Sequence, residues 1–254
     1  MTEDRGVAQP GSVPALAAGV AGRPTLASEP SPPRPHRPPL EPIEIAPTSL
    51  GYRVGKRLLD LAASGIGLIV TSPLLLGISA AVKATSPGPV LFRQERVGLG
   101  GRRFMAYKFR SMHVDADQGT HRDHIRELMQ GEEDDAGTWK PIAEDPRVTR
   151  VGAFLRRSHL DELPQLVNIL KGEMSLVGPR PPIPYEVELY EPWHRRRLSV
   201  VPGLTGLWQA NGWGSLSFDE GVRLDLEYIE RRSLWLDVRL IFQTLVQIVR
   251  GRQF

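Results

Sequence analysis

Two adjacent carboxylates, Asp161 and Glu162, stand between leucines in "SHLDELPQLVNIL", and Arg147, Arg150, Arg156, Arg157 and Arg180 bracket them. Lys108 and Arg110, in "YKFRSM", are candidates for the same set. Guanidinium groups grip phosphate oxygens in a bidentate way. Two acids among several cations suit a metal-bridged pyrophosphate, with one carboxylate attacking phosphorus and the other holding Mg2+. Acids at a helix start are also routine capping residues, solvated or paired with an arginine. The dipeptide alone does not separate these readings.

The elements around the pair narrow them. Ser158 and Asp161 have the spacing of a helix-start capping signal. Pro164 is tolerated only in a first turn, and Leu163, Leu166, Val167 and Leu170 recur at helical spacing. The pattern predicts an α-helix beginning close to Asp161. Both acids then sit at its electropositive end, where ionised carboxylates and a bound phosphate are favoured. Upstream, "GPVLFRQERVGLGGRRFMAYKFRSM" reads as two strands joined by a glycine turn. "VGLGG" lacks the strand and third glycine of a dinucleotide fingerprint. Residues 113–144 are charged, helical in pattern and peripheral, and "SLWLDVRLIFQTLVQIVRG" is a final helix stopped at Gly251. "YEPWHRRRLSVV" reads as an interfacial helix with arginines toward headgroups. Trp193, Trp208, Trp213 and Trp235 suit either an interface or a packed core.

From Leu61 to Val82 the chain carries no charge, enough for a helix to cross a bilayer once. Ser72 and Pro73 lie at its middle. Proline there removes a backbone donor, and Ser72 is placed to satisfy the freed carbonyl. Both flanks are basic, Lys56 and Arg57 before and Lys83 after, which favours both ends on one face of the membrane. A re-entrant helix broken at Ser72-Pro73 meets both facts; a single kinked span and a buried core segment stay open.

Residues 1–48 hold roughly half of the 23 prolines and read as a disordered tail with polyproline II character. The acidic start shows no cleavable signal peptide. With no cysteine, thiolate chemistry and Cys-based zinc sites are excluded. Lys+Arg is 32 against 29 Asp+Glu, interleaved throughout, which argues against nucleic acid as a partner.

Taken together, "KRLLDL", "SPLLL", "GPVLFRQERVG", "YKFRSM", "DPRVTRVGAFLRRSHLDELPQLVNILKGEMSLVGPRP" and "PGLTGLWQANG" resemble the bacterial sugar transferases, the monotopic polyprenol phosphate phosphoglycosyl transferases. The match covers everything but the tail. It implies an α+β, mostly helical monotopic protein with a re-entrant helix-break-helix over 52–86 and a cytoplasmic catalytic domain over 87–254, ending in interfacial helices. The implied reaction moves a sugar 1-phosphate from a UDP-sugar to undecaprenyl phosphate at the cytoplasmic membrane, releases UMP and begins a lipid-linked glycan. By the same resemblance Asp161 is the covalent nucleophile and Glu162 the Mg2+-associated acid. Lys108, Arg110, Arg147, Arg156 and Arg180 then serve the substrate, and Ser72 and Pro73 set the membrane break. Larger members carry extra N-terminal spans, so the chain resembles the short catalytic form; a homodimer is left open. Two positions depart from the pattern: His159, where a small residue is usual, and Trp213, where relatives often have Arg. A membrane-bound UDP-sugar hydrolase and a non-catalytic membrane adaptor are the competing readings.

Overall fold

The computed structural model describes residues 43–114, 147–212 and 216–250. The chain divides into two units, Met1–Pro39 and Leu40–Phe254. Every described helix and strand belongs to the second. Residues 1–42 of the proline-rich tail, nearly all of the charged 113–144 stretch, Trp213 and Gly251 lie outside the described residues. Residues 43–48, expected to belong to the disordered tail, are instead held to the body: the Ala46 N–H donates to the Ser199 carbonyl at 3.1 Å, and Arg232 donates to the Ala46 and Pro47 carbonyls.

Helix α1, Leu50–Thr85, starts at Ser49, whose hydroxyl accepts from the Tyr52 N–H at 3.2 Å. It stops at Ser86, where the following Pro87 disfavours further helix. The two-helix break expected at Ser72-Pro73 is not what forms: one helix runs through Pro73. Proline frees the carbonyl four residues back, that of Ile69, and the Ser72 hydroxyl donates to this oxygen at 2.8 Å. The inward positions keep helical spacing across the proline. Asp60, Ser64 and Leu68 face the body before it, and Leu75, Ile78 and Val82 after it. Outside this seam Ile66, Ile69, Val70 and Leu76 are exposed. Among the described residues, α1 is the one helix long and apolar enough to cross a membrane.

Both ends of α1 are tied to the same body. Arg57 donates to the Ile169 and Leu170 carbonyls, each at 2.7 Å, at the end of a short helix spanning Leu166–Lys171. Lys56 meets Asp237 at 3.0 Å. At the other end Ile78 and Val82 pack with Phe109 and Leu155. The flanking cations thus serve protein carbonyls and carboxylates.

Strands β1 (Leu91–Val97) and β2 (Arg103–Phe109) pair antiparallel, Leu91 opposite Phe109 and Val97 opposite Arg103. Gly100 and Gly101 take φ values of 64° and 80° in the connecting turn, which glycine adopts without strain. Beyond β2, Met112 bridges Val148, and the His113 N–H donates to the Arg147 carbonyl at 2.9 Å. The chain on either side of the 115–146 stretch is therefore closed at its base. Helix α2, Arg150–Arg157, follows, capped by the Thr149 hydroxyl.

The predicted α-helix at Asp161 is replaced by a 3-10 segment, Leu160–Gln165, followed by a six-residue helix α3, Leu166–Lys171. Ser158 is not its N-cap. Its hydroxyl donates back to the Phe154 carbonyl at 2.8 Å, ending α2. His159 then turns the chain through the left-handed region at φ 56°. Asn168, fully buried, clips α3 to β2: its Oδ1 accepts from the Tyr107 N–H and its Nδ2 donates to the Met105 carbonyl.

Strand β3 (Ser175–Val177) pairs parallel with β4 (Gly203–Thr205). Between them lie α4 (Pro184–Glu188) and a second 3-10 segment, His194–Ser199. This last stretch corrects the interfacial helix expected at "YEPWHRRRLSVV": His194, Arg197, Leu198 and Ser199 are buried. Arg197 reaches inward because a carboxylate waits there, Asp225 at 2.7 Å. Helices α5 (Leu207–Gly212), α6 (Phe218–Arg231) and α7 (Leu234–Val249) complete the body. Trp208 is buried in the core with Tyr190, Leu198 and Phe218, whereas Trp235 on α7 is 76% exposed.

Gly152 lets α2 lie directly on the loop after β2. A Cβ there would stand 1.9 Å from the Ser111 carbonyl oxygen. Gly152→Ala is expected to destabilise by about 2–3 kcal/mol, because the neighbour is backbone and cannot swing aside. A urea-unfolding midpoint unchanged from the parent protein would contradict this packing.

Candidate active site

The 3-10 segment places Asp161 in the wall of a cavity of about 470 Å³, with only 8% of the residue exposed. Glu162, Lys108, Arg156, His159, Arg180 and Arg96 line the same space. Lys108 reaches across from β2 and pairs with Glu162. Arg156 is held at the end of α2 by the Ser111 hydroxyl, its Nε donating at 2.9 Å. Arg180 lies 3.8 Å from the buried Glu186 carboxylate.

Five predicted positions therefore meet in one cavity: Lys108, Arg156, Asp161, Glu162 and Arg180. Two others do not line it. Arg110 is buried and donates to the Pro87 carbonyl at 2.7 Å and to the Ser86 carbonyl and hydroxyl, both at 2.8 Å. Its work is to fasten the end of α1 to the hairpin. Arg147 sits at the base of the 115–146 stretch, where its carbonyl accepts from His113. Trp213 lies outside the described residues.

Sequence reasoning misses Arg96. It is buried, and its Nη1 donates to the Pro181 carbonyl at 2.8 Å, so it supports the "GPRPP" loop that carries Arg180. Burial, with Arg180 nearby, lowers its guanidinium to about 10. The stretch "LFRQERVG" contains it, but nothing in that pattern marks it as inward-facing.

Electrostatics differ between the two acids. Burial pushes Asp161 up to about 6, against the pull of Lys108. This reverses the expectation that a helix terminus keeps it readily ionised: the following α3 has only six residues, and loss of water outweighs its dipole. Burial alone would raise Glu162 as well, but the Lys108 ammonium against it, with Arg180 beyond, holds it below the usual carboxylate range. His159 is lowered, chiefly by burial. The cavity thus holds one fixed anion and one carboxylate that burial makes costly to ionise.

Mg2+ is commonly bound by one or two carboxylates completed by substrate phosphates and water. Among the described residues no group of three or more acids or histidines is assembled. Asp161 and Glu162 fit that substrate-completed mode rather than an all-protein cage, and they are the residues that would hold the ion.

Leu204, Ile241, Leu245 and Ile248 supply apolar lining to the same cavity. Helix α7 is fixed there by Gln243 and Gln247, whose Nε2 groups donate to the Ala210 carbonyl at 3.1 and 2.8 Å.

A family model described as bacterial sugar transferase matches residues 51–251. The chain belongs to the bacterial sugar transferase family. Among similar sugar transferases is the galactosyl transferase CpsE of Streptococcus agalactiae, 42% identical over 79% of this chain and 43% of its own length. A UDP-glucose:undecaprenyl-phosphate glucose-1-phosphate transferase of Xanthomonas campestris is 43% identical, over 78% of this chain and 39% of the relative. The exopolysaccharide production protein ExoY of Rhizobium meliloti is 39% identical, with 78% and 87% covered. The chain therefore spans about two-fifths of the length of the first two relatives and most of the third.

Proposed function

We propose that this sugar transferase moves a sugar 1-phosphate from a UDP-sugar to undecaprenyl phosphate, releases UMP, and so starts a lipid-linked glycan at the cytoplasmic face of the membrane. The observation that carries the reading is Asp161, buried beside Glu162 in a cavity that also presents Lys108, Arg156 and Arg180. Family membership and relatives named for the same two substrates support it.

In the proposed route an Asp161 carboxylate oxygen attacks the sugar-linked phosphorus. The Asp161 O–P bond forms, the bridging P–O bond breaks, and UMP leaves with the electron pair. A phosphate oxygen of undecaprenyl phosphate then attacks the same phosphorus, and Asp161 is released as a free carboxylate. Arg156, Arg180 and Lys108 neutralise the phosphate oxygens gathered at one point. Mg2+, when bound, adds positive charge at the same phosphates.

The attachment of both α1 ends to one body supports keeping both ends on one side of the membrane, because a span would carry one end across the bilayer. The exposed apolar residues Ile66, Ile69, Val70 and Leu76 would then enter the lipid.

The reading is tested by incubating the protein with Mg2+, undecaprenyl phosphate and a panel of UDP-sugars. Expected are equal amounts of UMP and solvent-extractable sugar. Free sugar 1-phosphate as the product would instead indicate a hydrolase, and no UMP at all an adaptor. Glu162→Gln is expected to raise the Mg2+ concentration for half-maximal rate at least ~10-fold, since one of two carboxylate ligands becomes neutral. An unchanged Mg2+ titration removes Glu162 from the metal's surroundings.

A further inference from the structure

The cavity has a third kind of wall, neither charged nor apolar. Thr205 at the end of β4, Gln209 on α5 and Thr244 on α7 all line it. The Thr244 hydroxyl donates to the Leu240 carbonyl at 2.8 Å. Its proton is thereby committed, so in the 2.7 Å contact between the two hydroxyls Thr205 is the donor. Both hydroxyl protons are used within the protein, and the oxygens keep only acceptor capacity toward the cavity.

Gln209 adds to the same character. Its Oε1 is buried and has no hydrogen-bond partner among the described residues. Gly206 makes room for it, since a Cβ at Gly206 would stand 2.7 Å from that oxygen. A buried carboxamide oxygen left without a donor is costly unless a ligand supplies one.

We propose that Thr205, Gln209 and Thr244 form the subsite for the sugar ring of the donor, with Gln209 accepting a sugar hydroxyl or amide N–H. The inference rests on the transferase reading above and assigns one part of its substrate. Phosphate brings only acceptors and is repelled by an acceptor wall; Lys108, Arg156 and Arg180 serve it. The polyprenyl chain has no donors. The nucleoside offers one uracil N–H between two carbonyls and two ribose hydroxyls, fewer donors than the sugar ring, and comparison with UDP separates the two. A sugar carries several hydroxyl donors on one ring, and its C–H face can rest on Leu204 and Ile241 of the same cavity.

The test uses the full chain with Mg2+. Binding of the better of UDP-glucose and UDP-galactose, and of UDP, is measured by calorimetry in the non-transferring Asp161→Asn background. Gln209→Met is expected to weaken the UDP-sugar about tenfold while UDP stays within twofold, as for one lost hydrogen bond. In the otherwise unaltered enzyme, kcat/KM for the donor falls correspondingly and KM for undecaprenyl phosphate holds. Equal weakening of UDP and UDP-sugar would move the wall to the nucleoside. A change confined to the lipid's KM would move it to the acceptor, and no change would leave it without a ligand; each of the three overturns the proposal. If Gln209→Met fails to fold, Thr244→Val is read by the same measurements, with a loss of at least threefold for the UDP-sugar alone as the expected result. Failure of the transferase reading is separate: the unaltered protein would then yield no extractable sugar from any donor.

Discussion

Asp161→Asn should abolish transfer and, in the same protein, raise stability. Removing an attacking carboxylate typically costs several powers of ten, and UMP release is expected to fall at least ~10³-fold. The stability gain follows from burial. Asp161 has an ordinary value of 3.8 and is pushed up to about 6 in the folded chain. An acid whose folded value is raised binds its proton more tightly in the native state. Folding is therefore most favourable below 3.8, where the carboxyl is neutral in both states, and loses free energy as pH rises from 3.8 to about 6. Above that the penalty is constant. Asparagine has nearly the same shape and no charge to desolvate, so Asp161→Asn should gain about 1–3 kcal/mol at pH 7.5 without Mg2+. The gain should shrink as pH is lowered through 6 toward 4. Melting temperatures of both proteins across that range check it. A variant as stable as the parent at every pH would mean that Asp161 is not desolvated. A variant that retains turnover would mean that it is not the nucleophile.

The acid pair could be seen in the sequence because its chemistry is local: Asp161 and Glu162 are contiguous and their cations are clustered nearby. The geometry that seats them was less visible. Ser158 has the spacing of an N-cap, but the same hydroxyl also suits the end of the preceding helix, and the left-handed turn at His159 decides between them. Histidine is among the non-glycine residues found in that region, so its type gives only weak warning. Pro164 signalled a first turn, and the 3-10 segment is a first turn that was lengthened. Arg110 shows the opposite failure. Its neighbour Lys108 enters the cavity, while strand alternation alone does not tell which of two inward-facing cations meets a carboxylate and which meets the Ser86 and Pro87 carbonyls. Arg96 and the acceptor wall were invisible for one shared reason. Their partners come from distant chain segments, Pro181 for Arg96 and Thr244 for Thr205, and no short window contains both members.

"HRRRLS" invited the same error in larger form, and it carries the second large expectation. Three consecutive arginines read as a solvated face, yet Arg197 is 3% exposed and pairs at 2.7 Å with Asp225, 1% exposed, on α6. Arg197 also donates to the Tyr190 hydroxyl at 2.7 Å, and its guanidinium lies 5.4 Å from the centre of the Trp208 ring. Asp225→Ala would leave a desolvated guanidinium between Tyr190 and Trp208 with no counter-charge at contact distance. Breaking a buried pair from one side typically costs 3–5 kcal/mol, and whole domains are stable by only 5–15. The variant is expected to melt about 10 °C lower, and a shift below about 3 °C would mean that water reaches the pair. Removing both charges has a different outcome. In Arg197→Met/Asp225→Leu no ion is desolvated, so most of the lost stability should return. The two arms separate a pair that stabilises by attraction from one whose members chiefly neutralise each other's burial. The Arg197 Nη2 also reaches the Arg180 carbonyl at 3.5 Å, so the double variant loosens the loop that holds Arg180, the residue proposed to neutralise substrate phosphate. It should therefore recover its melting temperature while keeping a raised KM for the UDP-sugar, which places the pair's functional value in holding Arg180 rather than in the stability of the fold.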